Sequence, residues 1–206
     1  MSIGAIVLQK PLALAKSRLR QVLSARARAS LSLALLERVC TALRAGIGIE
    51  TVVVMTPDPV VAAFAAARGV RAVPDPAPAL NAALAEAFRP LSRCSRGILV
   101  ISADLPLVQA ADIAAIVAAA DPRALVVAPS KDTTGTNALL LPSTGAFRPA
   151  FGQASLAAHR HRAQAVGLRV VLLRRPGLAF DLDTPADLAA LRFAQTFNSL
   201  SVPVTI

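Results

Sequence analysis

The chain has 206 residues, 55% of them hydrophobic, and carries 22 Lys and Arg against 12 Asp and Glu, a formal charge of +10. That length suits one domain with a substantial core, and no apolar run approaches the ~18 residues needed to span a membrane. The basic residues are dispersed and Trp and Tyr are absent, so neither a membrane nor a nucleic-acid partner is expected, whereas an anionic small molecule suits the charge.

The first residues, Met1-Ser2-Ile3-Gly4-Ala5-Ile6-Val7-Leu8, lack a basic leader and read as a strand over 3–8, which points to the cytoplasm. A basic loop continues to Arg20. Leu31, Leu35, Leu36, Val39 and Leu43 then recur at three and four, predicting a helix over 29–45 that ends at Gly46 and Gly48. Cys40 falls on its buried face, where free cysteine acts as a small hydrophobe; Cys94 is distant, and no disulfide is expected. Thr51 to Met55 is a β-branched strand, and Asp58-Pro59 opens a helix with an acid cap and proline at the first position.

Val70 to Val73 reads as a short strand, followed by a proline-rich loop over 74–78 and a helix over 81–88. Gly97 to Ser102 is an unbroken apolar run of the kind buried on both faces of a sheet. A helix over 109–120, strands at 125–128 and 137–141, a helix over 154–166, a strand at 168–173 and a helix over 185–193 complete the series. The alternation predicts one α/β domain over 1–195, a mostly parallel sheet with helices on both faces, and a patternless tail over 196–206.

Three of the few acids fall where chemistry happens in such a sheet, beyond the carboxyl ends of strands. Asp104 follows Gly97–Ser102; Asp181 and Asp183 lie in Phe180-Asp181-Leu182-Asp183-Thr184-Pro185. On extended backbone, acids two apart share one face, roughly 6.5–7 Å apart, and could flank a divalent ion. The competing reading gives Asp183 a place beside a helix cap at Thr184 and makes Asp104 part of an ordinary turn. Asp187 is expected only to tune the last helix, by ~0.3–1 kcal/mol. Lys10, Lys16 and Arg18 follow the first strand, the usual place of a phosphate-binding loop, but the glycines of a Walker or Rossmann loop are missing, so side chains would do the work of amides. Lys131 to Asn137 is a small polar loop whose hydroxyls and amides could receive an anion, and Phe151 to Ser155 opens a helix. His159 and His161, two apart on that helix, are read as surface or cap-adjacent.

Taken together, Lys10-Pro11 with Ala15-Lys16-Ser17-Arg18-Leu19, then Leu80-Asn81, Ser102-Ala103-Asp104-Leu105-Pro106, Gly135-Thr136-Asn137-Ala138-Leu139, Phe151-Gly152 with Ser155, and Asp181-Leu182-Asp183-Thr184-Pro185 resemble the 2-phospho-L-lactate guanylyltransferase family of coenzyme F420 biosynthesis. Some members of that family use phosphoenolpyruvate or 3-phosphoglycerate. The resemblance spans residues 3–193 and implies a Rossmann-like nucleotidyltransferase domain, of the GT-A type and similar to molybdenum-cofactor guanylyltransferases. It implies GTP and Mg²⁺, with Asp104, Asp181 and Asp183 at the metal. Lys10, Lys16, Asn81 and Asp104 would contact the nucleotide, with Lys10, Lys16 and Arg18 catalytic. Thr136, Gly152 and Ser155 would hold the phosphorylated acid. The product would pass to a downstream transferase of the same pathway, and a homodimer is left open. Two departures stand out: Ala79 replaces the Gly expected before Leu80-Asn81, and Thr133-Thr134 lies in a loop less glycine-rich than in many relatives. The alternatives are a nucleotidyltransferase of the same fold acting on a molybdopterin or sugar phosphate, and a nucleotide- or RNA-binding protein without turnover.

Overall fold

The structure is a computed structural model that describes residues 2–73, 84, 96–142 and 147–200, with side chains to residue 192. The expected helix at 81–88, the proline-rich loop, Ala79, Asn81 and Cys94 lie outside the described residues, Leu84 excepted. In chain order the elements are β1 (Ile3–Leu8), a 3-10 turn (Ser17–Leu19), α1 (Ala25–Ala45), β2 (Ile49–Met55), α2 (Pro59–Ala66), β3 (Arg71–Val73) and β4 (Gly97–Ser102). Then come α3 (Ala110–Ala118), β5 (Ala124–Pro129), β6 (Thr136–Pro142), α4 (Ser155–Ala165), β7 (Arg169–Leu172), α5 (Pro176–Ala179) and α6 (Pro185–Leu200).

The strands form one sheet in the order β3-β2-β1-β4-β6-β5-β7. All pairings are parallel except those of β6, which runs antiparallel to both β4 and β5. From β1 the chain adds strands to one side and then returns to place β4 on the other. A cleft opens at such a switch point. Register aligns its floor: Leu8 pairs with Met55 and with Ser102, so β1, β2 and β4 end together. Because β6 is reversed, its first residue, Thr136, starts at the same edge, paired with Pro129 at the end of β5.

Strand residues alternate between two cores, as the period of two requires. Ile3, Ala5, Val7, Leu99 and Ile101 pack with Val39 and Leu43 of α1, Val61 of α2 and Ile113 of α3. Ile6, Ile98, Val100, Leu125, Val127 and Leu139 face the other way, against Leu156 and Ala163 of α4. Helices therefore cover both faces, as expected. A third, small cluster of Leu19, Leu35, Leu182 and Leu191 joins the 3-10 turn, α1, the acidic segment and α6.

Some boundaries moved for local reasons. Helix α1 begins at Ala25, four residues before the expected start at 29, because the Ser24 hydroxyl accepts the Ala27 N–H and starts the helix there. Helix α6 continues to Leu200, through the first residues of the expected tail; no glycine or proline interrupts 186–200. The short α5 was not anticipated; Pro176 at its first turn starts it. Cys40 is free and buried as expected, and burial pushes its thiol up to about 11. No helix among the described residues is long and apolar enough to cross a membrane.

Candidate active site

A cleft of about 990 Å³ lies along the carboxyl edge of the sheet. Every candidate site residue that the structure describes lines it: Lys10, Lys16 and Arg18 on one side, Asp104, Asp181 and Asp183 at the base, Thr136, Gly152 and Ser155 on the other side.

The basic loop is tied down at several points, which a solvated surface turn would not be. Gln9 N–H donates to Met55 O (3.1 Å), Leu12 N–H to Asp58 Oδ2 (2.8 Å), and the Arg28 guanidinium to Ala15 O (3.1 Å). Asp58 also caps α2 through Val60 N–H (2.9 Å), so one carboxylate serves the helix with one oxygen and the loop with the other. At Lys16 the backbone turns left-handed (φ 51°), a conformation that costs a non-glycine residue about 1 kcal/mol or more. That turn carries the side chain inward, where it is 6% exposed, and its ammonium donates to Asp104 Oδ2 (2.9 Å) and Asp183 Oδ1 (3.1 Å). Arg18 approaches the other oxygen of Asp183 at 3.8 Å but is largely exposed.

The three acids occupy different electrostatic states. Burial works to raise the Asp104 carboxyl, but the Lys16 charge and hydrogen bonds from Ser102 Oγ (2.7 Å) and Lys16 outweigh it and hold Asp104 below the ordinary value. Asp181 goes the other way. Burial raises it, and the negative charges of Asp104 and Asp183 add to the rise. Its Oδ1 is buried without a hydrogen-bond partner, a costly condition for a carboxylate that a bound cation would relieve.

Asp181 and Asp183 do share the cleft, although their segment is not assigned as a strand. Leu182 between them is fully buried in the small leucine cluster, and its N–H donates to Asp104 O (3.1 Å), which docks the segment beside β4. Upstream, Asn137 Nδ2 donates to Leu178 O (2.9 Å) and Ala179 O (3.1 Å). Arg175 pairs with the buried Asp112 (2.6 Å), and Gly177 is packed so closely that a Cβ there would sit 2.0 Å from Asp112 Oδ2. Downstream, Thr184 and Asp187 form a reciprocal cap: Asp187 Oδ2 accepts from Asp183 N–H (3.0 Å) and Thr184 N–H (2.7 Å), and Thr184 Oγ1 accepts from Asp187 N–H (3.2 Å).

The cap reading of Asp183 holds for its backbone, while its carboxylate points away from the cap to Lys16. The expectation for Asp187 needs correction. It is buried, paired with Lys131, and its carboxyl is held down to about 2; burial opposes this and the Lys131, Thr184 and Asp183 hydrogen bonds overcome it. The pattern Thr184-x-x-Asp187 is the sequence signal for such a box.

On the Thr136 side of the cleft, Ser130 to Gly135 is mostly self-satisfied. Ser130 Oγ donates to Asp132 Oδ1 (2.6 Å) while accepting Gly135 N–H (2.8 Å), and Thr134 Oγ1 donates to Asp132 Oδ2 (2.8 Å). These bonds, that from Ser130 first, hold the Asp132 carboxyl down to about 2. The hydroxyl of Thr134, expected as an anion receiver, thus gives its proton to Asp132 instead, as does that of Ser130 just before the loop. Gly152 adopts φ +133°, open to glycine, and nothing lies within 4 Å of where its Cβ would be. His159 also departs from expectation: it is fully buried rather than on the surface, bonded to Thr136 (3.0 Å) and to Ala150 N–H (2.9 Å). Its spacing from Leu156 and Ala163, both buried, is the three-and-four repeat that marks an inward face.

Among the described residues no three His, Cys, Asp or Glu side chains converge as a ready metal cage. Mg²⁺ does not need one: it is commonly bound by one or two carboxylates together with substrate phosphates and water. Hard oxygen donors at Asp104, Asp181 and Asp183, with one buried oxygen orphaned, fit such an ion.

The fold matches that of a nucleotidyl transferase from Methanothermobacter, with a TM-score of 0.65 over 96% of this chain and 99% of the other, at 16% identity. Sheet order, switch-point cleft and this likeness define an α/β domain of the nucleotidyltransferase fold. The profile of the family described as "Guanylyl transferase CofC like" matches residues 3–194. The chain is similar to the phosphoenolpyruvate guanylyltransferase of Sphaerobacter thermophilus, 42% identical over 93% of each chain. It is similar also to that of Rubrobacter xylanophilus, 43% identical over 93% of this chain and 94% of the other. The chain belongs to the CofC-like guanylyl transferase family.

Proposed function

We propose that this protein transfers GMP from GTP to phosphoenolpyruvate and releases pyrophosphate, as a step in coenzyme F420 biosynthesis in the cytoplasm. The observation that carries the reading is the Lys16 bridge: one ammonium, on a loop tied to β2 and α2, meets carboxylates from the end of β4 and the start of α6 at the switch-point cleft. The names of the two relatives favour phosphoenolpyruvate over 2-phospho-L-lactate and 3-phosphoglycerate as the acceptor.

The reaction needs little proton chemistry. A phosphomonoester carries about −1.5 to −2 charge at neutral pH, so an acceptor phosphate oxygen attacks the α-phosphorus as an anion. The new P–O bond forms as the bond to the β-phosphate oxygen breaks, and pyrophosphate leaves with the electron pair. The protein's task is to bring two anions together and hold them in line. Lys10, Lys16 and Arg18 stabilise the triphosphate and the departing pyrophosphate, with Asn81 and Asp104 also on the nucleotide. Thr136, Gly152 and Ser155 hold the acid. Asp104, Asp181 and Asp183 would hold Mg²⁺, which when bound supplies neutralising positive charge at the α-phosphate.

The test is to incubate the full chain with GTP, Mg²⁺ and each of the three acids separately and to weigh the products. The expected result is pyrophosphate and a guanosine diphosphate-linked acid, with phosphoenolpyruvate the best substrate. GTP binding without pyrophosphate release in all three reactions would overturn the reading in favour of a binding protein.

A further inference from the structure

The interior of the acceptor-side wall is organised by one fully buried side chain that no step above uses. His159 projects from α4 with its ring between Phe147 (6.2 Å between centroids) and Phe151 (5.0 Å, edge-on). Its two nitrogens reach two different pieces of the wall. Nε2 lies 2.9 Å from Ala150 N, in the segment that leads to Phe151 and Gly152; Nδ1 lies 3.0 Å from the Thr136 hydroxyl at the start of β6.

These contacts settle where the protons are. A backbone N–H can only donate, so Nε2 must be bare to receive Ala150 N–H. A proton on Nε2, in the other neutral tautomer or in imidazolium, would collide with that N–H. The neutral ring then carries its proton on Nδ1 and donates it to Thr136 Oγ1. With its lone pair engaged by the ring, the Thr136 hydroxyl keeps its own proton for another acceptor, and Thr136 lines the cleft. Ser130 and Thr134, in the loop just before Thr136, do the opposite, giving their hydroxyl protons to Asp132.

We infer that His159 is a positioning residue for the acceptor: through Nδ1–H it sets the Thr136 hydroxyl as a hydrogen-bond donor to the anionic end of the phosphorylated acid, and through Nε2 it holds the Phe151-Gly152 side of the same pocket in register with it. This rests on the acceptor reading above. A phosphate or carboxylate offers only acceptors, so a hydroxyl whose proton were committed to the ring would repel it. A carboxylate in place of His159 would accept that proton, and the pocket would lose its donor.

The tautomer is read directly by long-range proton–nitrogen NMR on the full chain at pH 7.5, because the sequence has two histidines and a His161→Gln sample assigns the other. A protonated Nδ1 and bare Nε2 on His159 support the inference; a protonated Nε2 overturns it. Steady-state kinetics with GTP, Mg²⁺ and phosphoenolpyruvate give the second readout. Thr136→Val, which keeps shape and β propensity, should raise the acceptor KM roughly ten- to hundred-fold, the range for a lost hydrogen bond to a charged group, and leave the GTP KM unchanged. His159→Gln, whose amide reaches the Nε2 position but not Nδ1, should raise it similarly. His159→Asn, whose Nδ2 stands where Nδ1 stood, should fall closer to wild type. The double variant Thr136→Val/His159→Gln should be little worse than Thr136→Val, because the ring acts through that hydroxyl. An acceptor KM unmoved in Thr136→Val, or fully additive effects in the double variant, would overturn the positioning role while wild-type turnover stands. No turnover by the wild-type chain with any of the three acids is a different failure: it removes the acceptor reading itself, and this inference with it.

Discussion

Lys16 holds two carboxylates, Asp104 and Asp183, and is itself held in a left-handed backbone turn. Strained backbone persists where surrounding contacts over-determine it, and such residues cluster at functional sites. The charge balance of the cleft therefore turns on single side chains. Asp104→Asn and Asp183→Asn keep size and hydrogen-bonding reach but remove the negative charge a hard cation requires. Each should lower Mg²⁺-dependent turnover at least about 100-fold, the scale of several kcal/mol of lost charge stabilisation, with the melting transition still cooperative. Near-normal turnover in both would end the metal assignment. Lys16→Ala should raise the GTP KM far more than the acceptor KM in steady-state assays; equal effects on the two substrates would return the loop to a structural role.

At the scale of an element, the segment from Arg175 to Asp187 is not a free loop that happens to carry acids. It is anchored by Asp112 behind Arg175, by Asn137 under Leu178 and Ala179, by Leu182 in its apolar cluster, and by the Thr184–Asp187 box. Lys131 closes it from the far side, paired with Asp187, 5.0 Å from the Phe180 ring and 3.5 Å from Asp181 O. Asp187→Ala removes the acceptor of two backbone N–H groups and the carboxylate partner of Lys131. The expected cost is about 1–3 kcal/mol in urea unfolding, the range for a lost cap and unsatisfied buried donors. Turnover should fall as well, because the same carboxylate orients Asp183. A variant with wild-type stability and reduced turnover would show that Asp187 acts on chemistry alone.

Across the whole molecule, the buried ring of His159 joins α4, β6 and the 147–151 segment on one face of the sheet. Burial, with the Arg162 charge on the same helix adding to it, holds its pKa down to about 4 from 6.5; the side chains packed on the ring, Phe147, Phe151 and Thr136, bring no charge. Between those two values the unfolded chain binds a proton that the native chain does not, so stability falls as pH drops below 6.5 and the loss is complete near 4. One such group should cost about 2 kcal/mol by pH 5 and about 3 kcal/mol by pH 4 relative to pH 7.5. Urea unfolding of wild type and His159→Asn at these pH values measures it: the variant should show a flatter dependence through this window. Parallel curves would mean that other groups account for acid destabilisation.

Periodicity in the chain was enough to read β1, β4, α1, α3 and the layered α/β class, because each of these buries a regular face and only apolar side chains can pay for that burial. Local rules likewise placed Asp104 and the Lys10–Arg18 loop at strand ends, whereas Asp181 and Asp183, expected there too, follow the short α5 instead. Three things needed the folded chain. The reversal of β6, which brings Thr136 to the carboxyl edge, begins as a hairpin with β5 but is inserted into the sheet by pairing with β4, a strand distant in sequence, and hydrophobic alternation is the same in either direction. The meeting of Lys16 with Asp104 and Asp183 spans 88 and 167 residues, a separation no local signal encodes. The inward turn of His159 was present as a three-and-four repeat with Leu156 and Ala163, yet a polar ring flanked by Arg160 and Arg162 reads as surface until Ala150 and Thr136 are seen to satisfy both of its nitrogens. Secondary structure follows from neighbours along the chain; proton positions and ion pairs follow from neighbours in space.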